Sequence, residues 1–326
     1  MNSREIVRRT LAFEYPQRVA HSFEPSDFVF GGAEIPNPLD AWHKVGEHEW
    51  QRTDEWGNVW DRVDETSKGQ VIQGVLEDLS QVATCPLPDY ADPAHYAHAR
   101  EIFVSTPTQW HIGSVQGFTF KMAQQLRKFD QYLMDLITEV DRIHLLHNRI
   151  DEQICWQIRR LSEISADSVM FWEDWGTQER TFISPRLWRQ EFKPRFQALC
   201  ALAHSQNLYV IMHSCGKMTA LIPDLIECGI DVFQFDQPRI HGIDTLAEFQ
   251  KHNRVTFWCP VDIQTTLQTH DEKIIRSEAR ELLDKLWKPR GGFIAGLYPD
   301  PVSIGLEPHW QFIASDEFSQ YGVRDS

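Results

Sequence analysis

The sequence predicts an α/β fold built on a parallel sheet, a prediction that rests on three observations. From residue 168 onward, short apolar runs alternate with amphipathic stretches five times in succession, the order that produces strand–helix units. The apolar runs are continuous, as in strands covered on both faces. No GxGxxG or GxxxxGK[ST] segment follows any of them, so a nucleotide-binding open sheet has no support. An open doubly wound sheet and a closed (β/α)8 TIM barrel both satisfy the pattern. A length of 326 residues suits the barrel, with irregular N-terminal additions.

The elements follow in order. Residues 24–62 are rich in Pro, Gly, Trp and charge, and read as a long loop carrying short hairpin strands. Residues 94–103 read as helical, Trp110–Ser114 as a strand, and 118–147 as two helices. Ser168–Trp172 is an apolar strand. Ser184-Pro185 then supplies an N-cap and an N1 proline. The helix they open carries Leu187, Phe192, Phe196, Leu199 and Ala203 at helical spacing, and Pro194 should kink it. Leu208–Met212 is the next strand; a helix through Leu221, Leu225 and Ile226 closes near Gly229. Strand Ile230–Phe235, a short helix near 243–249 and strand Val255–Trp258 follow. A longer helix through Ile274, Ile275, Leu282, Leu283 and Leu286 precedes Gly292–Leu297, and a last helix spans 307–319. With no low-complexity linker or internal repeat, residues 1–326 read as a single domain.

Composition excludes several function classes. A formal net charge of −15 argues against nucleic acid or an anionic membrane as partner. The opening MNSREIVRRT lacks an apolar h-region, so a secretory signal is not expected, and no run reaches the length of a membrane span. Six cysteines without scaffold spacing suit a reducing, cytoplasmic compartment. Oligomeric state is open, a homodimer among the alternatives.

In a parallel barrel, function gathers at the carboxyl ends of the strands. Read that way, successive strands end at Glu173 and Asp174, at His213 and Cys215, at Asp236 and Gln237, at Cys259 with Asp262 beyond, and at Tyr298 and Asp300. His213-Ser-Cys215-Gly216 is the most informative of these. Two residues apart on extended backbone, the imidazole and thiol lie on one side, and such a pair suits a borderline-soft cation such as zinc. Asp236 and Cys259 are candidates for a third ligand. The bland readings stand beside these: Cys215 as a small buried hydrophobe, strand-end acids as helix caps, Tyr298 as a strand terminator. Cys155, Cys200 and Cys228 sit in helical stretches as core thiols; Cys85 has no evident partner.

Beyond these strand ends, a set of segments recurs in a definite order. Arg4-Glu5-Ile-Val-Arg-Arg and Pro16-Gln-Arg-Val19 open it; Asp54-Glu-Trp-Gly57, Asp174-Trp-Gly176, Ser184-Pro185 and His213-Ser-Cys-Gly216 continue it. Pro260-Val-Asp-Ile-Gln264 and Gly291-Gly-Phe-Ile294 close it. In order and spacing these resemble the uroporphyrinogen decarboxylase superfamily over nearly the whole chain. The resemblance implies a (β/α)8 barrel with its site at the carboxyl end, and a family-like opening helix and first strand. The arginine-rich N-terminal segment and Phe-Ser-Asp setting of the metal-free decarboxylases are absent. The His-x-Cys-Gly segment looks like the branch of zinc-dependent, corrinoid-associated methyltransferases, similar in metal site to cobalamin-independent methionine synthase.

That resemblance implies zinc held by His213 and Cys215, with Asp236 where the methionine synthase site places an acidic ligand. Those enzymes add a late cysteine after a GGxI segment; here Gly296-Leu-Tyr-Pro-Asp300 has none. Either Cys259 substitutes, or Asp236 suffices, or metal is absent or weakly held. No Asp-x-His-x-x-Gly segment occurs, so a corrinoid would come on a partner protein. The leading expectation is methyl transfer between a small methylated compound or thiol and that corrinoid, with Glu173, Asp174, Asp262 and Tyr298 positioning substrate or moving protons. His111 is a weaker candidate for the same roles and reads first as structural. The alternatives are lyase chemistry on a small carboxylic acid and a catalytically silent binding barrel.

Overall fold

The computed structural model describes residues 1–324. Eight parallel strands form its main sheet: β1 (Ala20–His21), β2 (Phe28–Gly32), β3 (Trp110–Val115), β4 (Ser168–Trp172), β5 (Tyr209–His213), β6 (Val232–Gln234), β7 (Thr256–Cys259) and β8 (Phe293–Ala295). Their order is β1-β8-β7-β6-β5-β4-β3-β2. Chain order is thus preserved around the curl, as in a (β/α)8 barrel, with no reversal point of the kind an open doubly wound sheet requires. At the seam between β1 and β2 the Asp27 amide donates to the His21 carbonyl at 3.0 Å, and the Asp27 carboxylate accepts the His21 amide at 2.9 Å.

Each strand sends alternate side chains inward and outward. Ala20, Phe28, Ile112, Met170, Ile211, Val232, Trp258 and Ile294 fill the lumen, one from each strand, and Ile6, Val7 and Leu11 of the first helix (Ser3–Ala12) plug its amino end. Val169, Phe171, Val210, Met212, Phe233, Phe257 and Phe293 face the opposite way, into the layer beneath the helices. Apolar side chains cover both faces over most of each strand, which is why the strands read as unbroken apolar runs.

The N-terminal half departs from the expectation in three places. Phe28–Gly32, inside the stretch taken as loop, is barrel strand β2, and the strand expected at 16–19 forms at Ala20–His21. Four antiparallel strands, His43–Gly46, Glu49–Thr53, Val59–Arg62 and Gln70–Gln73, make a meander that continues beyond residue 62. The region 118–147 holds three helices, Thr119–Arg127, Phe129–Thr138 and Val140–Glu163, the last continuing well past 147. The first break falls at Lys128, whose φ of +70° ends one helix and starts the next.

Further on, Pro194 separates helices more sharply than a kink. The helix splits into Pro185–Glu191 and Lys193–Ser205, with Pro194 in the first turn of the second, where its missing N–H is tolerated. Among the described residues no helix is long and apolar enough to cross a membrane, and all six cysteines are free.

Candidate active site at the carboxyl end of the barrel

Two sequence segments lock together at the ends of β4 and β5. The Glu173 amide donates to the His213 carbonyl at 3.0 Å, the Trp175 amide to Ser214 Oγ at 3.3 Å, and the Lys217 amide to the Thr177 carbonyl at 2.7 Å. Gly216 adopts φ +77°, and a Cβ there would lie 2.0 Å from the Gly176 carbonyl oxygen. Only glycine fits so close a backbone approach. The interlock aims Cys215 inward, and its amide donates to Asp174 Oδ1 at 2.7 Å.

The result is a compact trio. His213 Nε2 lies 3.4 Å from Cys215 Sγ and 3.7 Å from Asp174 Oδ1. One ligand atom from each residue falls within 4.8 Å of the other two. The other ring nitrogen, Nδ1, is paired with Gln234 Oε1 on the adjacent strand β6. Gln234 Nε2 donates to Asp236 Oδ1 at 2.8 Å. A carboxylate only accepts, so the amide group of Gln234 turns to Asp236 and its oxygen to His213. The proton of His213 therefore sits on Nδ1, leaving the Nε2 lone pair facing the thiol and Asp174.

These residues open into a cavity of about 430 Å³. Met170, Trp172, Trp258 and Leu297 give it apolar walls, and Lys68, Lys121 and Tyr298 bring polar groups. Lys68 descends from the turn between the last two meander strands to within 3.2 Å of the Tyr298 hydroxyl. It thereby ties the meander to the loop after β8 at the same mouth of the barrel.

The donor set fits a borderline-soft divalent cation: one imidazole nitrogen of fixed tautomer, one sulfur, one carboxylate oxygen, and open space on the cavity side. Burial pushes the Cys215 thiol well above the ordinary cysteine range, and the charges of Asp174 and Asp236 push it further. A bound cation would reverse that field and favour the thiolate.

The remaining expected residues scatter. Asp236, expected as a third ligand, lines the cavity and accepts from Gln234 Nε2, and it is not among the three residues whose ligand atoms converge. Tyr298 lines the cavity against Lys68. Asp174, expected to position substrate or move protons, lies instead with His213 and Cys215 in the trio that could hold a metal ion. Cys259 is completely buried in the outer layer among residues beneath the helices, because its neighbour Trp258 takes the inward place. Asp262 caps its own loop, accepting the Gln264 amide at 3.0 Å, the Thr265 amide at 2.9 Å and the Arg239 amide at 3.2 Å.

Glu173 turns away from Asp174 and is fully buried, accepting the Lys121 amide at 3.2 Å. Burial raises its pKa to about 8. His111 stacks on Phe103 and points both ring nitrogens at backbone carbonyls of Ser165 and Thr106. The site residues that sequence reasoning missed are Gln234, Lys68, Lys121, Trp172 and Trp258. Gln234 had a signal, as the one polar residue between Phe233 and Phe235; Lys68 and Lys121 had none.

The uroporphyrinogen decarboxylase (URO-D) family model matches residues 66–298. The chain belongs to the URO-D family. Among solved structures it is similar to a methyltransferase from Methanosarcina mazei, at 15% identity and a TM-score of 0.66, covering 98% of this chain and 86% of that one. At that identity the likeness concerns the fold. A xylose isomerase domain protein from Planctomyces limnophilus aligns at 15% identity and a TM-score of 0.41, over 72% of this chain and 89% of that one. A D-psicose 3-epimerase aligns at 7% identity and a TM-score of 0.43, over 75% and 86%. No curated protein matches the sequence. The trio and its cavity thus lie within a URO-D barrel.

Proposed function

We propose that this URO-D family member is a zinc-dependent methyltransferase, moving a methyl group between a small methylated compound or thiol and a corrinoid carried by a separate protein. The observation that carries the reading is the convergence of Asp174, His213 and Cys215 on one point of the barrel mouth. His213 Nε2, Cys215 Sγ and a carboxylate oxygen of Asp174 would hold the ion. The chemistry such an ion supplies is Lewis acidity toward a sulfur or oxygen of the substrate.

The chain's own residues do the rest. Gln234 and Asp236 keep the proton on His213 Nδ1 and the Nε2 lone pair directed at the site. Trp172, Trp258 and Met170 line the cavity and exclude water from the reacting group. Lys68 and Tyr298, hydrogen-bonded to each other, orient the polar end of a bound molecule. The test is a transfer assay with zinc-loaded protein, methylcobalamin and a panel of small thiols, followed by corrin absorbance. Wild type is expected to demethylate the corrin with at least one thiol, and Cys215→Ser to lose about 100-fold or more of that rate. Equal rates in the two proteins would refute the assignment.

A second reading is release of CO₂ from a small carboxylic acid. One observation favours it: Lys68 and Lys121 line the cavity with no ion-pair partner among the described residues. Detection of CO₂ from carboxylic acids by metal-free protein would support it over methyl transfer.

A further inference from the structure

A second cavity, of about 400 Å³, lies beside the first. Its walls are the rim beyond β2 and β3, the meander, and the helix Val140–Glu163. Lys121 and Trp172 line both cavities. Its size is within the range of small-molecule sites, and its lining is of a different kind.

Gln157 is the telling residue. It belongs to the inward face of its helix, in line with Ile150, Ile154, Ile158 and Leu161, where an apolar side chain would pack. It is only 4% exposed, its amide lines the cavity, and no hydrogen-bond partner meets it among the described residues. Its polar atoms are open to the cavity, so whatever pairs with the amide, water or a ligand, sits there. Ser114, two residues beyond inward-facing Ile112 on β3 and half-buried, brings a hydroxyl with no side-chain or backbone partner among the described residues.

The other lining groups narrow the chemistry. Trp60 and Trp172 offer indole faces, and Trp60 is fixed by its N–H donated to Asp54 at 2.6 Å. Glu55 is engaged only by neutral donors, the Tyr90 hydroxyl at 3.2 Å and the Gln116 amide, and remains an acceptor. Asp40 and Arg52 neutralise one another. A quaternary ammonium could give Gln157 and Ser114 no hydrogen bond, and a carboxylate would face Glu55 and Asp54 as well as the Lys121 ammonium on the wall shared with the first cavity. Unpaired amide and hydroxyl groups beside flat aromatic faces suit a ligand with several hydroxyls and a C–H face.

We propose that this second cavity binds a polyhydroxylated molecule of monosaccharide size, with Gln157 and Ser114 as its hydrogen-bonding anchors and Trp60 and Trp172 as its stacking faces. The site contains no member of the metal trio, shares its Trp172 and Lys121 wall with the first cavity, and does not rest on the methyl-transfer reading.

The test is isothermal titration of the full chain with myo-inositol, D-glucose and D-xylose. At least one is expected to bind with a Kd below about 5 mM, an affinity ordinary for an anchored small ligand. Gln157→Leu, with its fold checked by circular dichroism, should weaken that binding about tenfold. Ser114→Ala is a second, milder variant that should weaken it too, and Cys215→Ser should leave it unchanged. If none of the three binds folded wild type, water satisfies Gln157 and the proposal is wrong. Binding that survives both anchor variants, or is lost in Cys215→Ser, would place the ligand elsewhere and equally overturn it.

Discussion

One amide, that of Gln234, decides which nitrogen of His213 faces the cavity. Partners of this kind typically contribute 10–100-fold to metal affinity. Gln234→Leu is therefore expected to weaken zinc binding by about that factor, measured by competition with a chelating dye. Cys259→Ser should leave zinc affinity unchanged while lowering stability, since a hydroxyl would be buried in an apolar layer. His213, Cys215 and Asp174 were legible as polar residues ending apolar strands. Cys259 was misplaced by strand parity, because a one-residue step along a strand crosses to the other face. Glu173 and Asp174 differ by the same step. Burial pushes the pKa of folded Glu173 up to about 8, from the ordinary glutamate value of 4.5. The folded chain thus holds that proton more tightly than the unfolded one, and the stability this contributes is full below about pH 4.5 and lost as pH rises through 8. Glu173→Gln should remove the loss, gaining on wild type between pH 5 and pH 8 by on the order of a few kcal/mol. Urea unfolding at the two pH values reads it; parallel pH curves for the two proteins would show that Glu173 is not the source.

At the scale of elements, the strand-end loops separate residues that build the site from residues that build the loop. Gly216→Ala forces a Cβ against the Gly176 carbonyl in a left-handed backbone. It is expected to cost more than about 2 kcal/mol and to reduce zinc content with it. Asp262→Ala, which removes an acceptor of three backbone amides, should cost about 1–2 kcal/mol and leave zinc content intact. Chemical denaturation and metal analysis on both variants distinguish the two roles. From Ser168 onward the elements were legible because each has one dominant apolar pattern. β1 and β2 were not: two residues, and five residues ending in Gly31-Gly32, carry too little periodicity to compete with the surrounding Pro, Gly and Trp. The break at Lys128 was equally silent, since a positive φ at lysine has no sequence signature.

For the whole molecule, closing the sheet in chain order brings strand ends that are far apart in sequence to one mouth. His213, Asp174 and Gln234 meet because β4, β5 and β6 are neighbours in the barrel. The meander reaches the same mouth through Lys68, which meets Tyr298 across most of the chain's length. A contact of that separation depends on closure and could not be read from spacing. An ion bound by the folded mouth and not by the unfolded chain stabilises the fold by linkage, about 2.7 kcal/mol at a hundredfold excess over Kd. Because Cys215 must give up its proton to serve as a ligand, zinc affinity should rise with pH. The most direct test of the metal site is the zinc content of tag-free protein after incubation with zinc and removal of excess, for wild type and Cys215→Ser side by side. The expected result is about one zinc per wild-type chain, the stoichiometry of a single three-ligand site, with most of it lost in the variant. Wild type that takes up no zinc, or Cys215→Ser that keeps a full equivalent, would contradict a metal site built from Asp174, His213 and Cys215.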